Sequence, residues 1–150
     1  MSFSLEQLQA SVGRAFPGGE YVIEPWRAWL AQDAMLAPTQ GDFAQGVEAH
    51  PVFVYFAAIG AMGIGWDELF AWFGASAADG PMFGECAVHV EHPLAVGARY
   101  RVDGAIVSAE RKQGRSGCFD LVGYAFTLTD GAGRIAATCR NSIVFPRRDV

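Results

Sequence analysis

Hydrophobic and polar positions alternate with a helical period in the first half of the chain and with a period of two in the second. Near the start, Leu5, Leu8 and Val12 share one helical face behind Ser4 and Gln7, which stand at capping-box spacing, and Gly18-Gly19 stops the pattern. A short amphipathic helix is predicted there, then a brief strand over 21–23 and a Pro25-initiated helix running toward Pro38. The polar, glycine-containing TQGDFAQGVEA reads as loop. Residues 52–62 are apolar on nearly every side, which predicts a helix enclosed by sheet, so a charge at Phe56 is expected to unfold the protein. Trp66, Leu69, Phe70 and Phe73 keep helical spacing until SAADGP breaks it. From Met82 onward four strands are predicted, over 82–92, 99–109, 118–129 and 134–145, joined by PLAVGA, ERKQGRSG and the hairpin signal DGAG. Helices followed by a run of antiparallel strands indicate an α+β fold, a sheet wrapped around a central apolar helix.

Composition narrows the function classes. The 150 residues fit one domain, residues 1–150, with 1–20 as a helical extension. A net charge of −5 from 11 Lys+Arg and 16 Asp+Glu gives no phosphate-seeking surface, so no nucleic-acid partner is expected. No apolar run is long enough for a bilayer and the N-terminus lacks a signal-peptide layout, so no membrane partner is expected and a cytoplasmic location is. Cys86, Cys118 and Cys139 are odd in number and widely spaced; buried thiols are expected, with no disulfide framework or structural metal. His89 and His92 project to opposite faces of a strand, which excludes a shared metal site.

One stretch carries a family signature. FGECAVHVEHPLAVG, residues 83–97, runs a half-buried strand into a Pro-Leu-x-x-Gly corner. It resembles the HGEQxFxxHRPLxxGD strand in the dehydratase N-terminal branch of the MaoC-like hot-dog domains. Gly84, Glu85, Pro93, Leu94 and Gly97 are identical to that pattern, and the departures include Phe83, Cys86, His92 and Ala98. The resemblance implies a hot-dog fold and a substrate that is an acyl-CoA or acyl-carrier-protein thioester, with no cofactor and no metal. It also implies a homodimer, or a heterodimer with another MaoC-like chain, sharing sheet edges that would otherwise lie open.

In that family the chemistry resides in a G-D-x-N-P-x-H segment, whose Asp and His act as acid and base on water or the substrate β-hydroxyl. The segment is not intact here. With Asp33 at the Asp position, Pro38 stands where His is required; with Gly41-Asp42 as the pair, Val47 does. The first register suits the family spacing better. His50 is the one histidine nearby, at the entry to the central helix, where a structural role competes with a catalytic one. Candidate catalytic residues are therefore Asp33, Asp42 and His50, and the set of true ones includes the empty set. Glu85 and Asp120 are expected to be solvated or ion-paired rather than a carboxylate pair. Phe53, Phe56 and Trp66, drawn from a strongly aromatic half-chain, are candidates to hold the acyl group. Arg111, Lys112 and Arg115 are expected in a solvated hairpin loop, with contact to a CoA or carrier phosphate as the alternative. These features imply a degenerate acyl-binding subunit of an enoyl-thioester hydratase or dehydratase whose partner chain supplies the Asp and His. A self-sufficient hydratase or an acyl thioesterase is the second reading, and a binding or scaffold protein without thioester chemistry the third.

Overall fold

The computed structural model describes residues 3–37, 44–115 and 117–147. In chain order the elements are α1 (Leu5–Ala10), β1 (Gly19–Val22), α2 (Pro25–Ala34), α3 (Val52–Gly60), α4 (Trp66–Trp72), β2 (Met82–Val90), β3 (Arg99–Gly114), β4 (Gly117–Thr129) and β5 (Ile135–Arg147). All five strands form one antiparallel sheet in the order β1-β3-β4-β5-β2. The α+β prediction and the predicted strands agree with this sheet. The reciprocal capping box of Ser4 and Gln7 closes α1 as its spacing predicts.

The core lies between α3 and the inner face of the sheet. Phe53, Val54, Ala57 and Ala58 of α3 are buried with Val102 and Ile106 of β3, Tyr124, Phe126 and Leu128 of β4, and Ala137, Cys139 and Ile143 of β5. Small residues at 57, 58 and 61 let the helix lie close over the strands, which favours dispersion contacts at interior density. The helix is not enclosed all round, however. Phe56 is 41% exposed and Tyr55 and Ile59 are only half-buried, so one stripe of α3 faces outward. The expectation for Phe56 is thereby corrected: a charge there meets solvent, whereas one at Ala57, fully buried, does not. An all-apolar helix carries no signal of which face is open.

The Pro-Leu-x-x-Gly corner has a clear physical role. Leu94 is buried, and Gly97 takes φ 81°, a left-handed conformation that disfavours side chains, while its amide donates to the Ile23 carbonyl at 2.7 Å. Between them the corner pairs with the segment before α3: Ala49 N–H donates to the Leu94 carbonyl, Gly46 N–H to Val96, and Val96 N–H to Val47. The signature thus anchors the chain entering α3. Of the predicted loop before α3, residues 44–49 form turns held by this pairing, and the remainder lies outside the described residues.

The first helix ends at Ala10, short of Val12, and two further boundaries that bear on the site differ from the sequence reading. The helix at Pro25 ends at Ala34, with Leu36 at φ 51°, four residues short of Pro38. The expected ERKQGRSG loop is largely strand: β3 runs on to Gly114 and β4 begins at Gly117. The extension is held by Arg111 and Asp120, direct partners across the two strands. Asp120 is fully buried and accepts from Arg111 Nε at 2.7 Å and Nη2 at 3.0 Å, and from Arg147 Nε at 2.7 Å. The expectation of an ion-paired Asp120 holds. Lys112 pairs with Glu110 on the same strand at 3.1 Å.

Candidate functional site

An apolar groove of about 540 Å³ opens between α2 and the outward stripe of α3, within the size range of small-molecule sites. Leu30, Ala31 and Ala34 form one wall because they fall on one face of α2; Phe53, Phe56 and Ile59 form the other. Gly60 keeps the floor open toward the Tyr21 ring, where a Cβ would come within 2.9 Å of Cε2. Its one charged lining residue among the described residues is Arg27. That guanidinium donates to Tyr21 Oη at 3.3 Å and to Glu24 Oε2 at 3.0 Å, bonds that raise its pKa above the usual arginine value, Tyr21 first and Glu24 second. The groove is therefore a hydrophobic slot with a fixed cation at its rim.

Tyr55 belongs both to the groove and to a polar patch on the inner face of the sheet. Its ring meets Phe83 of β2 edge-on, and its pKa is raised by burial foremost, then by Cys86 and Cys139. Tyr124 lies near it, and Asn141 is buried opposite Tyr124 across β4 and β5. The Tyr124 hydroxyl is buried without a hydrogen-bond partner among the described residues, and burial, reinforced by Tyr55, drives its pKa upward. Neither Tyr124 nor Asn141 was singled out by sequence reasoning, because only the β4–β5 register brings them together.

The sequence-selected residues fall in three places. Phe53 and Phe56 line the groove and pack edge-on against each other at 5.5 Å. Trp66 lies on α4, tilted against Phe70 at 6.1 Å, and is not part of the groove wall. Asp33 is exposed on α2, off the face that lines the groove. His50 is exposed, and its Nδ1 accepts the Val52 amide at 3.1 Å, the structural role open to it at the entry of α3. Asp42 lies outside the described residues. Among the described residues no Asp–His pair is assembled, and no group of three His, Cys, Asp or Glu side chains is arranged to hold a metal. Arg111 and Lys112, offered by the sequence as phosphate contacts, are instead held by carboxylates.

Edge strand β2 is exposed along all nine residues. Phe83, Val88 and Val90, which point to the inner face opposite Ile143, Cys139 and Ala137, are 51%, 41% and 36% exposed. An open strand edge with an apolar inner face is a pairing surface in search of a cover.

No family model and no curated relative matches the chain. Its fold, however, is that of solved MaoC-like proteins. It aligns with the C-terminally truncated HadBC (3R-hydroxyacyl-ACP dehydratase) complex of Mycobacterium tuberculosis at TM-score 0.67 and 14% identity, over 89% of this chain and 96% of that one. Against the ChsH1-ChsH2 complex of the same organism the TM-score is 0.68 at 13% identity, over 93% and 87%. A MaoC-like dehydratase matches at TM-score 0.63 and 20% identity over 95% of this chain, which spans only 44% of that longer protein. The chain carries the MaoC-like hot-dog fold, as its Pro-Leu-x-x-Gly corner implies. No helix among the described residues is long and apolar enough to cross a membrane.

Proposed function

We propose that this chain is the acyl-binding subunit of an enoyl-thioester hydratase or dehydratase, a single hot-dog domain whose partner supplies the acid and base. The observation that carries this reading is the apolar slot between α2 and α3 with no Asp–His pair on it among the described residues. An acyl chain gains from leaving water, roughly 0.8 kcal/mol per buried CH₂, and Leu30, Phe53, Phe56 and Ile59 offer the surface to receive it. Arg27 at the rim, whose Glu24 pairing is solvent-exposed unlike the buried pairing of Arg111, fits the phosphate-bearing end of CoA or of a carrier protein, a role the sequence offered for Arg111 and its neighbours only as the alternative to a solvated loop.

Water addition to an enoyl thioester, or its reverse, needs one group to take a proton and another to give one. With His50 and Asp33 both outside the lining of the slot, no acid–base pair stands on it among the described residues; a MaoC-like partner with an intact motif would bring both. The open β2 edge supports such a partner, either a second copy or a different hot-dog chain, and the neighbours named above include two complexes. The test is titration calorimetry with crotonyl-CoA and a longer enoyl-CoA. The unmodified chain should bind the longer ligand more tightly, and Ala31→Trp, which fills the slot from α2, should weaken that binding at least tenfold. Equal affinity for both ligands, unaffected by Ala31→Trp, would place the acyl group elsewhere.

A further inference from the structure

Cys86 and Cys139 are 53 residues apart in sequence, yet the β2–β5 register sets them side by side on the inner face, Cys86 opposite Asn141 and Cys139 opposite Val88. Such diagonal neighbours ordinarily stand about 7–8 Å apart along their backbones, so contact requires both side chains to turn toward each other. They do: the two sulfurs are 3.8 Å apart. We propose that Cys86 and Cys139 are a peroxide-reactive dithiol site that closes to a reversible disulfide tying the edge strand to the sheet.

The two thiols have unequal environments, and that asymmetry assigns their roles. Cys86 is exposed and meets solvent oxidants first; Cys139 is buried, with Asn141 Nδ2 donating to its sulfur at 3.4 Å. Burial pushes the Cys139 thiol up to about 12, which keeps it from starting the reaction and leaves it as the resolving group. In the first step the Cys86 sulfur, as thiolate, attacks one oxygen of hydrogen peroxide. The O–O bond breaks, one oxygen stays on sulfur as a sulfenic acid, and the other leaves as hydroxide that takes up the proton Cys86 released, forming water. In the second step the Cys139 sulfur attacks the Cys86 sulfur, the S–O bond breaks, and the departing hydroxide takes the Cys139 proton as a second water. Two thiols lose two electrons and one peroxide gains them.

A disulfide bond of about 2.05 Å requires the sulfurs to close by roughly 1.7 Å from their present separation, with the β2 backbone drawing in to the Cα separation of about 4.4–6.8 Å that a bridge spans. The edge strand has room for that shift. β2 is paired on one side only, and its register with β5 is already interrupted by a bulge between Phe83 and Cys86. Cys118 is the internal control: it sits at the far end of β4, opposite Gln113 and Arg147. The site stands independently of what fills the groove, and the reaction is that of the chain with its β2 edge uncovered.

The experiment treats the full chain with one equivalent of hydrogen peroxide, alkylates the remaining thiols, and maps peptides by mass. The expected product has lost two hydrogens, carries a peptide linked through Cys86 and Cys139, and retains one alkylatable thiol of the original three, at Cys118. Dithiothreitol should restore all three, and Cys86→Ala should abolish the loss. Hydrogen exchange at the β2 amides should slow at least tenfold on oxidation. The proposal is overturned if Cys86 accumulates two or three oxygens while Cys139 stays reduced. A link only between Cys86 residues of two copies, or no reaction faster than that of Cys118, overturns it equally.

Discussion

Replacing Asp120 by Ala removes the acceptor that holds two arginines at the far end of the sheet, and the structure sets the scale of the loss. Arg111 and Arg147 side chains are 14% and 8% exposed, so each would keep its charge largely out of water with its main partner gone. Their remaining bonds, Arg111 Nη2 to the Phe3 carbonyl at 2.8 Å and Arg147 Nη2 to the Phe73 carbonyl at 2.7 Å, tie the N-terminal segment and the end of α4 to the same cluster. Breaking a buried pair by deleting one partner costs about 3–5 kcal/mol. That is a large share of the roughly 5–15 kcal/mol stability of a domain, and a lowering of the melting temperature on the order of 10 °C follows. Urea denaturation followed by circular dichroism measures it. Asp120→Asn, which keeps the shape and one acceptor, should fall between the two. A loss under about 1 kcal/mol for Asp120→Ala would show that the arginines find water or other partners, and the cluster would not be what extends β3 and β4 past the predicted hairpin.

Ala57→Asp should prevent folding, because the charge enters the α3–sheet core, whereas Phe56→Asp should fold with near-normal stability and lose affinity for a long enoyl-CoA; equal unfolding of both would refute the open face of α3. Stability should decline with rising alkaline pH. Below about 9, the ordinary thiol value, Cys139 is protonated in both states; between there and about 12 the unfolded chain releases a proton that the folded chain keeps, so stability falls across that window. Cys139→Ala should remove the decline that begins near 9 while leaving the part above about 10 to which Tyr55 and Tyr124, also raised by burial, contribute. Tyr124→Phe removes a buried hydroxyl without a partner among the described residues, so it should raise stability by about 1 kcal/mol; a loss of that size in thermal melts would reveal an acceptor for it. Light scattering at low micromolar concentration, alone and with a MaoC-like partner, should give at least twice 16.1 kDa in one of the two cases, and a monomer in both would leave the β2 edge without the proposed role.

Strands β3 to β5 were readable because their burial largely alternates with a period of two, and the 83–97 signature because a left-handed glycine and a buried leucine are fixed needs of the corner. Features that depend on register were not. Arg111 and Asp120 are nine residues apart across a hairpin, and only their cross-strand pairing shows that the basic run is structural and not a phosphate loop. The same holds for Cys86 and Cys139, where spacing suggested inert buried thiols and the fold leaves one exposed beside the other. In α3 the uniform apolarity concealed the open side; the groove exists because α2 buries little beyond Ala28 and stands off from Phe56. His50 shows the limit of residue type as a guide, since its environment, a ring nitrogen accepting the Val52 amide, is set by two atoms that no spacing specifies.

The central claim, an acyl-binding chain that lacks its own acid–base pair, is tested most directly by following hydration of crotonyl-CoA and a longer enoyl-CoA with the purified protein and with Asp33→Asn, Asp42→Asn and His50→Ala. Loss of an acid–base partner typically lowers rate by about 10²–10⁴, so all four proteins should be equally slow alone, and addition of a chain with an intact G-D-x-N-P-x-H should restore turnover. Brisk turnover by the unmodified chain alone, abolished by His50→Ala and by one of the two Asp changes, would contradict the account and make this chain a self-sufficient hydratase.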